Sequence, residues 1–146
     1  MGERRIINPP SLPAPRGYSH GVLVRGGDLL FLGGQDGSDP EGRLAPDLVG
    51  QFRQALANLQ AVVEAAGGTL QDVVKLNIFV RDRAAYLEHR RSLGEVFRAF
   101  FGGYYPAMAL FEVTGFFREE ALVEIEGIAV IPQKERGTCG RRRRGA

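Results

Sequence analysis

The stretch "ALVEIEGIAV", residues 121–130, decides how this chain folds. Its β-branched and apolar residues predict a strand, and strand side chains alternate between two faces. Glu124 and Glu126 therefore point the same way, about 7 Å apart, on a face shared with Leu122, Ile128 and Val130. Two like charges on a largely apolar face are costly unless a partner holds them or a reaction uses them. One segment thus predicts both a sheet and a candidate site.

Upstream, "AMALFEV" (107–113) and "VVKLNIFV" (73–80) predict two more strands. Between them, residues 83–101 carry Tyr86, Leu87, Arg90, Leu93, Val96, Phe97 and Phe100 along a predicted helix, and Gly102 and Gly103 stop it. Another helix is predicted from the stripe Leu48, Phe52, Ala55, Leu56, Leu59, Val62, Val63 and Ala66, with Asp47 as its N-cap and Gly67 and Gly68 as its stop. Further back, "HGVLVRGGDLLFLGG" (20–34) reads as a hairpin turning at Gly26, Gly27 and Asp28. "RRIIN" (4–8) reads as a short edge strand, stopped by the prolines of "PPSLPAP".

The order β-β-β-α-β-α-β-β predicts an α+β fold, a mixed sheet with two helices on one face. The other face is expected to carry Leu122, Ile128 and Val130 together with Met108 and Leu110, and no element remains to cover it. A sheet face this apolar predicts self-association.

A chain of 146 residues, 44% hydrophobic and 25% charged, suits one domain, placed at residues 1–132. The net charge of +2 hides an asymmetry. Residues 133–146 hold six basic side chains against one acidic, a net of +5, which leaves residues 1–132 at −3. The Arg-rich tail has no apolar periodicity and is expected to be disordered, and any nucleic-acid binding is expected through it alone. No apolar run is long enough to span a bilayer, so no membrane partner is expected. "MGERRIINPPSLPAPRG" lacks the apolar core of a signal peptide, which predicts a cytoplasmic protein. Cys139 is the lone cysteine, and His20 and His89 show no paired ligand spacing, so no metal site is expected.

Three blocks, "GYSHGVLVRGGDLLFLGGQ", "QALANLQAVVEAAGGTLQDVVKLNIFV" and "YPAMALFEV…ALVEIEGIAV", together resemble the RidA (YjgF) family, over about residues 10–132. The resemblance implies a chorismate-mutase-like fold and a homotrimer with clefts between subunits. It implies hydrolysis of reactive enamines and imines to 2-keto acids and ammonia, without cofactor or metal. It places the family's water-handling glutamate on Glu124, its cleft tyrosine on Tyr18 and its backbone position on Gly34. His20, two residues after Tyr18, is a further candidate for the cleft. Where the family pattern "PAR" places a carboxylate-binding arginine, this chain has Met108, and a position often held by asparagine falls on Gly94.

That exchange has chemical weight. A guanidinium pairs with a carboxylate through two charged hydrogen bonds, worth roughly 1.5–3 kcal/mol each. Methionine offers only a polarizable apolar surface. With Glu124 and Glu126 taken as near neighbours, the expected ligand is a neutral or cationic small molecule, and hydrolysis of 2-iminopropanoate is expected to be weak or absent. Arg16 and Arg118 are candidate replacements for the anchor. Glu126 is read as a structural or interface carboxylate, and Glu112 as facing the cleft or as a solvated carboxylate at a strand end. Three readings stay open: an imine hydrolase of altered specificity, a non-enzymatic trimer that binds a metabolite or protein, and an RNA-associated or RNA-cleaving protein.

Overall fold

The structure is a computed structural model that describes residues 3–133; the Arg-rich tail lies outside the described residues. Residues 123–130 do fall in a strand, β6 in a set of six, while Ala121 and Leu122 precede it. In chain order the elements are β1 (Glu3–Ile7), β2 (Gly21–Arg25), β3 (Asp28–Asp36), α1 (Leu48–Ala65), β4 (Val73–Val80), α2 (Arg83–Glu88), α3 (Arg90–Phe101), β5 (Ala107–Glu112) and β6 (Val123–Ile131). Four strands form one sheet in the order β3-β6-β4-β5. β6 runs antiparallel to β3 and β4, whereas β5 runs parallel to β4, so the sheet is mixed.

Alternation along β6 sorts the two faces. Val123, Ile125, Ala129 and Ile131 are buried, and Glu124, Glu126, Ile128 and Val130 are half-buried on the other side. The buried set packs under α1, which presents Leu48, Phe52, Ala55, Leu56, Leu59 and Val63, and under α3, which presents Leu93, Val96, Phe97 and Phe101. Val62, read into the helix stripe, is exposed. Asp47 is the N-cap of α1 as expected, although its side chain makes no capping bond. At the far end the Gly67 and Gly68 amides donate back to Glu64 and Val63 carbonyls, which closes the helix.

Three expectations fail. The Gly26–Gly27 turn does not close a hairpin: β2 pairs with β1 in a separate two-stranded sheet, and β3 pairs with β6. Both glycines have positive φ, and the chain bends there without ladder bonds between the flanking strands. The second helix is broken at His89, whose φ of −100° and ψ of 11° separate α2 from α3.

The third concerns Met108 and Leu110. Parallel pairing sets Leu76 opposite Met108 and Ile78 opposite Leu110, and Leu76 and Ile78 are core residues. Met108 and Leu110 therefore lie on the helix side, and Ala107, Ala109 and Phe111 occupy the open face. Leu122 precedes β6 and packs against the core. The open face is nonetheless apolar, with Leu29 and Phe31 66% and 71% exposed and Phe79 stacked on Phe111 at 5.6 Å.

One buried polar side chain fixes the entry to β6. Gln51 on α1 donates through Nε2 to the Ala45 and Glu120 carbonyls (2.8 and 3.2 Å) and accepts from the Leu122 amide at 2.8 Å. Glu124 follows two residues later.

Candidate functional site

Glu124 stands on the open face opposite Asp36 on β3 and Phe79 on β4. Next to it the β3–β6 register slips: Leu32 faces Gly127 and Gln35 faces Ile125, so Gly33 and Gly34 together oppose Glu126. This bulge brings bare backbone up to the carboxylate. A Cβ added at Gly34 would collide with Glu124 Oε1, so residue 34 has to lack a side chain for Glu124 to lie where it does. Gly34 and Glu124, paired by resemblance in the sequence, are thus in direct contact.

The Glu124 carboxyl is pushed above its ordinary range, first by burial, then by the Asp36 and Glu126 charges. Glu126 accepts a long bond from Asn77 Nδ2 at 3.4 Å. Among the described residues the only ion pairs join Arg43 to Asp39 and Glu41, so neither Glu124 nor Glu126 in this acidic corner is ion-paired. Arg118 comes near it through the adjacent loop, where its Nη1 donates to Ser38 Oγ and to the Gly42 carbonyl, both at 2.7 Å.

Tyr18 and Met108 meet elsewhere. Residues 17–20 run beside the start of β5: Ser19 bridges to Ala107, its amide donates to the Pro106 carbonyl at 3.0 Å, and its Oγ donates to the Tyr105 carbonyl at 2.6 Å. That docking sets Tyr18 and Arg16 against Met108, in a cavity of about 250 Å³ shared with Arg83, Tyr86 and Leu87. An adjoining cavity of about 350 Å³ again has Arg16 and Met108 in its wall and adds Arg90, Gly94 and Arg98. Burial raises the Tyr86 hydroxyl above its usual range, so it remains a neutral donor there at pH 7.

His20 takes no part in either wall. Its ring lies edge-on to Tyr18 at 5.3 Å, its Nε2 bonds the Pro13 carbonyl at 2.7 Å, and its amide donates to Asn8 Oδ1 at 2.8 Å. Here it orders the loop that carries Tyr18. Glu112 accepts from the Arg83 amide at 2.8 Å and so supports the start of α2.

Within one chain, then, the predicted site residues form two groups on opposite faces of the sheet, Glu124 with Gly34 and Met108 with Tyr18. The charge around Met108 also departs from expectation. Both carboxylates point away from it, and four arginines line its cavities, so the setting is basic where a neutral or cationic ligand had been foreseen. Arg83, Arg90 and Arg98 carried no motif in the sequence; the one local signal was the four-residue spacing of Gly94 and Arg98 along a helix. No described group of histidine, cysteine and carboxylate side chains could hold a metal ion, and no described helix is long and apolar enough to cross a membrane.

Comparison with known proteins joins this arrangement to a family. Residues 10–131 match the family model described as Endoribonuclease L-PSP. A 2-iminobutanoate/2-iminopropanoate deaminase of Dermatophagoides farinae is 38% identical over 136 residues, covering 90% of this chain and 99% of that protein. A RutC family protein of Pyrococcus horikoshii is 34% identical over 129 residues, covering 86% and 97%. The crystal structure of a Rid family protein from Yersinia pestis, titled as of unknown function, superposes with a TM-score of 0.79 at 34% identity, covering 88% of this chain and 98% of that one. With its mixed sheet, its helical layer and a match across nearly all of the described residues, the chain belongs to the RidA (YjgF) family.

Proposed function

We propose that this protein hydrolyses imine-type substrates in clefts formed between copies of the chain, with a specificity altered at residue 108. The observation that carries this reading is Glu124, a carboxyl with raised proton affinity laid across the bare backbone at Gly34. Such a group takes a proton from water as it adds to the C=N carbon. The C–O bond forms as the π electrons pass to nitrogen, which takes the proton back from Glu124. Glu124 then accepts the hydroxyl proton of the carbinolamine and returns it to nitrogen, so that the C–N bond breaks, ammonia leaves and the ketone forms. Hydrolysis of this kind needs no metal or redox partner. The name of the Dermatophagoides farinae relative points to the same chemistry.

Assembly follows from the placement of the two groups. Glu124 with Gly34, and Tyr18 with Met108, cannot face one ligand from a single chain, but the open sheet face of one copy can close on the β5 edge of another. The exposed Leu29 and Phe31 supply the apolar surface for that contact. A homotrimer, which the family resemblance implies, is the closed arrangement we propose.

At the β5 edge Met108 cannot hold a carboxylate, so short imino acids should turn over slowly. Keto-acid release from 2-iminopropanoate should be low for the native protein and rise at least tenfold in Met108→Arg, and Glu124→Ala added to that variant should abolish the gain. Brisk turnover by the native protein that does not depend on Glu124 would overturn the reading.

A further inference from the structure

Gly94 sits in the middle of α3, where glycine costs roughly 1 kcal/mol relative to alanine. No turn, cap or positive φ accounts for it. Its neighbourhood does. An ideal Cβ at residue 94 would stand 3.3 Å from Arg98 Nη1, a tight contact, because the Arg98 side chain folds back one turn over the position the missing methyl would fill. Helical side chains lean toward the N-terminus, so a residue at i+4 reaches back over position i, and a bare residue there lets the guanidinium lie closer to the helix than a methyl would.

That guanidinium faces the 350 Å³ cavity, together with Arg16, Arg90 and Met108, and the adjoining cavity adds Arg83. No carboxylate lines either cavity. Of the nearby acids, Glu112 accepts from the Arg83 amide, Asp82 caps α2 through the Ala85 amide, and the exposed Glu88 and Glu95 line neither cavity and form no ion pair among the described residues. None of the four arginines has an ion-pair partner among the described residues. Three exposed arginines on one concavity and a fourth on its neighbour make this a locally basic surface, in a body whose net charge over residues 1–132 is −3, and such a surface favours an anion. Planar guanidinium forks suit the paired oxygens of carboxylate and phosphate.

We propose that Arg98, lying over Gly94, is the anion anchor of this cavity, and that the ligand is a small organic molecule bearing a carboxylate or phosphate at the end of a short apolar stem. The stem runs along Met108 and Leu87, and the anionic group reaches Arg98 on the helix layer, behind the sheet edge where residue 108 sits. The anchor has thus moved back from strand to helix, which selects longer substrates. For the hydrolase reading, on which this half of the proposal rests, the preferred substrates are imines of amino acids with a second carboxylate. The binding half stands on the cavity alone.

Calorimetric titration of the full-length protein tests it with three probes: glutarate, inorganic phosphate, and glutaramide as the neutral counterpart of equal length. Glutarate should bind at least tenfold more tightly than glutaramide, and Arg98→Gln should weaken it by about tenfold or more. Gly94→Ala should raise Tm through helix propensity while weakening glutarate severalfold, and Arg25→Gln, at an exposed arginine outside the cavity, should leave its affinity unchanged. Phosphate binding stronger than glutarate, with the same loss in Arg98→Gln, would assign the anchor to a phosphorylated ligand. Failure of the native protein to bind either anion, or equal binding by Arg98→Gln, overturns the proposal. Keto-acid release from 2-iminoglutarate separates the two claims. Turnover that Arg98→Gln leaves intact sinks the anchor and keeps the hydrolase. Arg98-dependent glutarate binding without turnover of any imine sinks the hydrolase and keeps the anchor.

Discussion

Replacing Phe31 by aspartate should break the assembly without unfolding the chain. Phe31 is 71% exposed on the open face opposite Ile128, with Leu29 66% exposed opposite Val130. Burying a whole phenylalanine side chain contributes about 1.5–3 kcal/mol, so covering the exposed part should contribute about 1–2 kcal/mol per copy. Over three copies the loss is about 3–6 kcal/mol, or roughly 10²–10⁴ in the trimer formation constant at about 1.4 kcal/mol per tenfold. The cost of burying three aspartates adds to this. Within the single chain only the cross-strand contact with Ile128 is lost, roughly 0.2–1 kcal/mol. Sedimentation equilibrium at micromolar concentration should therefore show trimer for the native protein and monomer for Phe31→Asp, with unchanged far-ultraviolet circular dichroism. Imine hydrolysis should vanish in the variant although Glu124, Gly34, Tyr18 and Met108 are intact. Leu29→Asp is the second variant, in case the first fails to fold. A native monomer, or a folded Phe31→Asp that remains trimeric, would refute the reasoning.

Gly34→Ala should separate stability from activity: the new methyl meets the flexible end of Glu124, so Tm should change by only a few degrees while hydrolysis falls at least tenfold. Glu124 should also make stability pH-dependent. Its folded-state affinity for a proton is raised by burial, Asp36 and Glu126, so the stabilisation it lends is fully present below the ordinary value of 4.5 and is lost as pH rises through the raised value. Denaturant titrations across that window should show a flatter profile for Glu124→Gln. Asp36→Asn, which removes one of the two like charges, should move the acidic limb of the kcat/KM profile to lower pH.

Much of this was legible in the sequence, for identifiable reasons. Alternation within one strand is a local property, so "ALVEIEGIAV" gave the orientation of Glu124 correctly. The phase between strands is not local. Met108 and Leu110 are expected on the open face from their apolar character alone, whereas the parallel register Leu76 to Met108 puts them on the helix side. Gly26 and Gly27 have the composition of a hairpin turn, yet β2 finds its partner in β1, across the proline-rich segment. Gly34 was placed by resemblance, and its contact with Glu124 depends on a bulge that no local pattern announces. Arg83, Arg90 and Arg98 carry no signal because each is an ordinary exposed helix residue, and only the packing of α2 and α3 beside β5 brings them to the cavities that Met108 and Arg16 also line.

The Gln51 amide has a consequence for how this protein can vary. By holding the Glu120 carbonyl and the Leu122 amide against α1, it anchors the chain just before β6. Residues 113–120 are thereby insulated from the strand that follows. Insertions or deletions in that loop, which carries Phe116, Phe117 and Arg118, can be absorbed ahead of the anchor without advancing β6 by one residue and turning Glu124 to the wrong face. The loop is free to diversify at the rim while the reactive carboxylate keeps its phase.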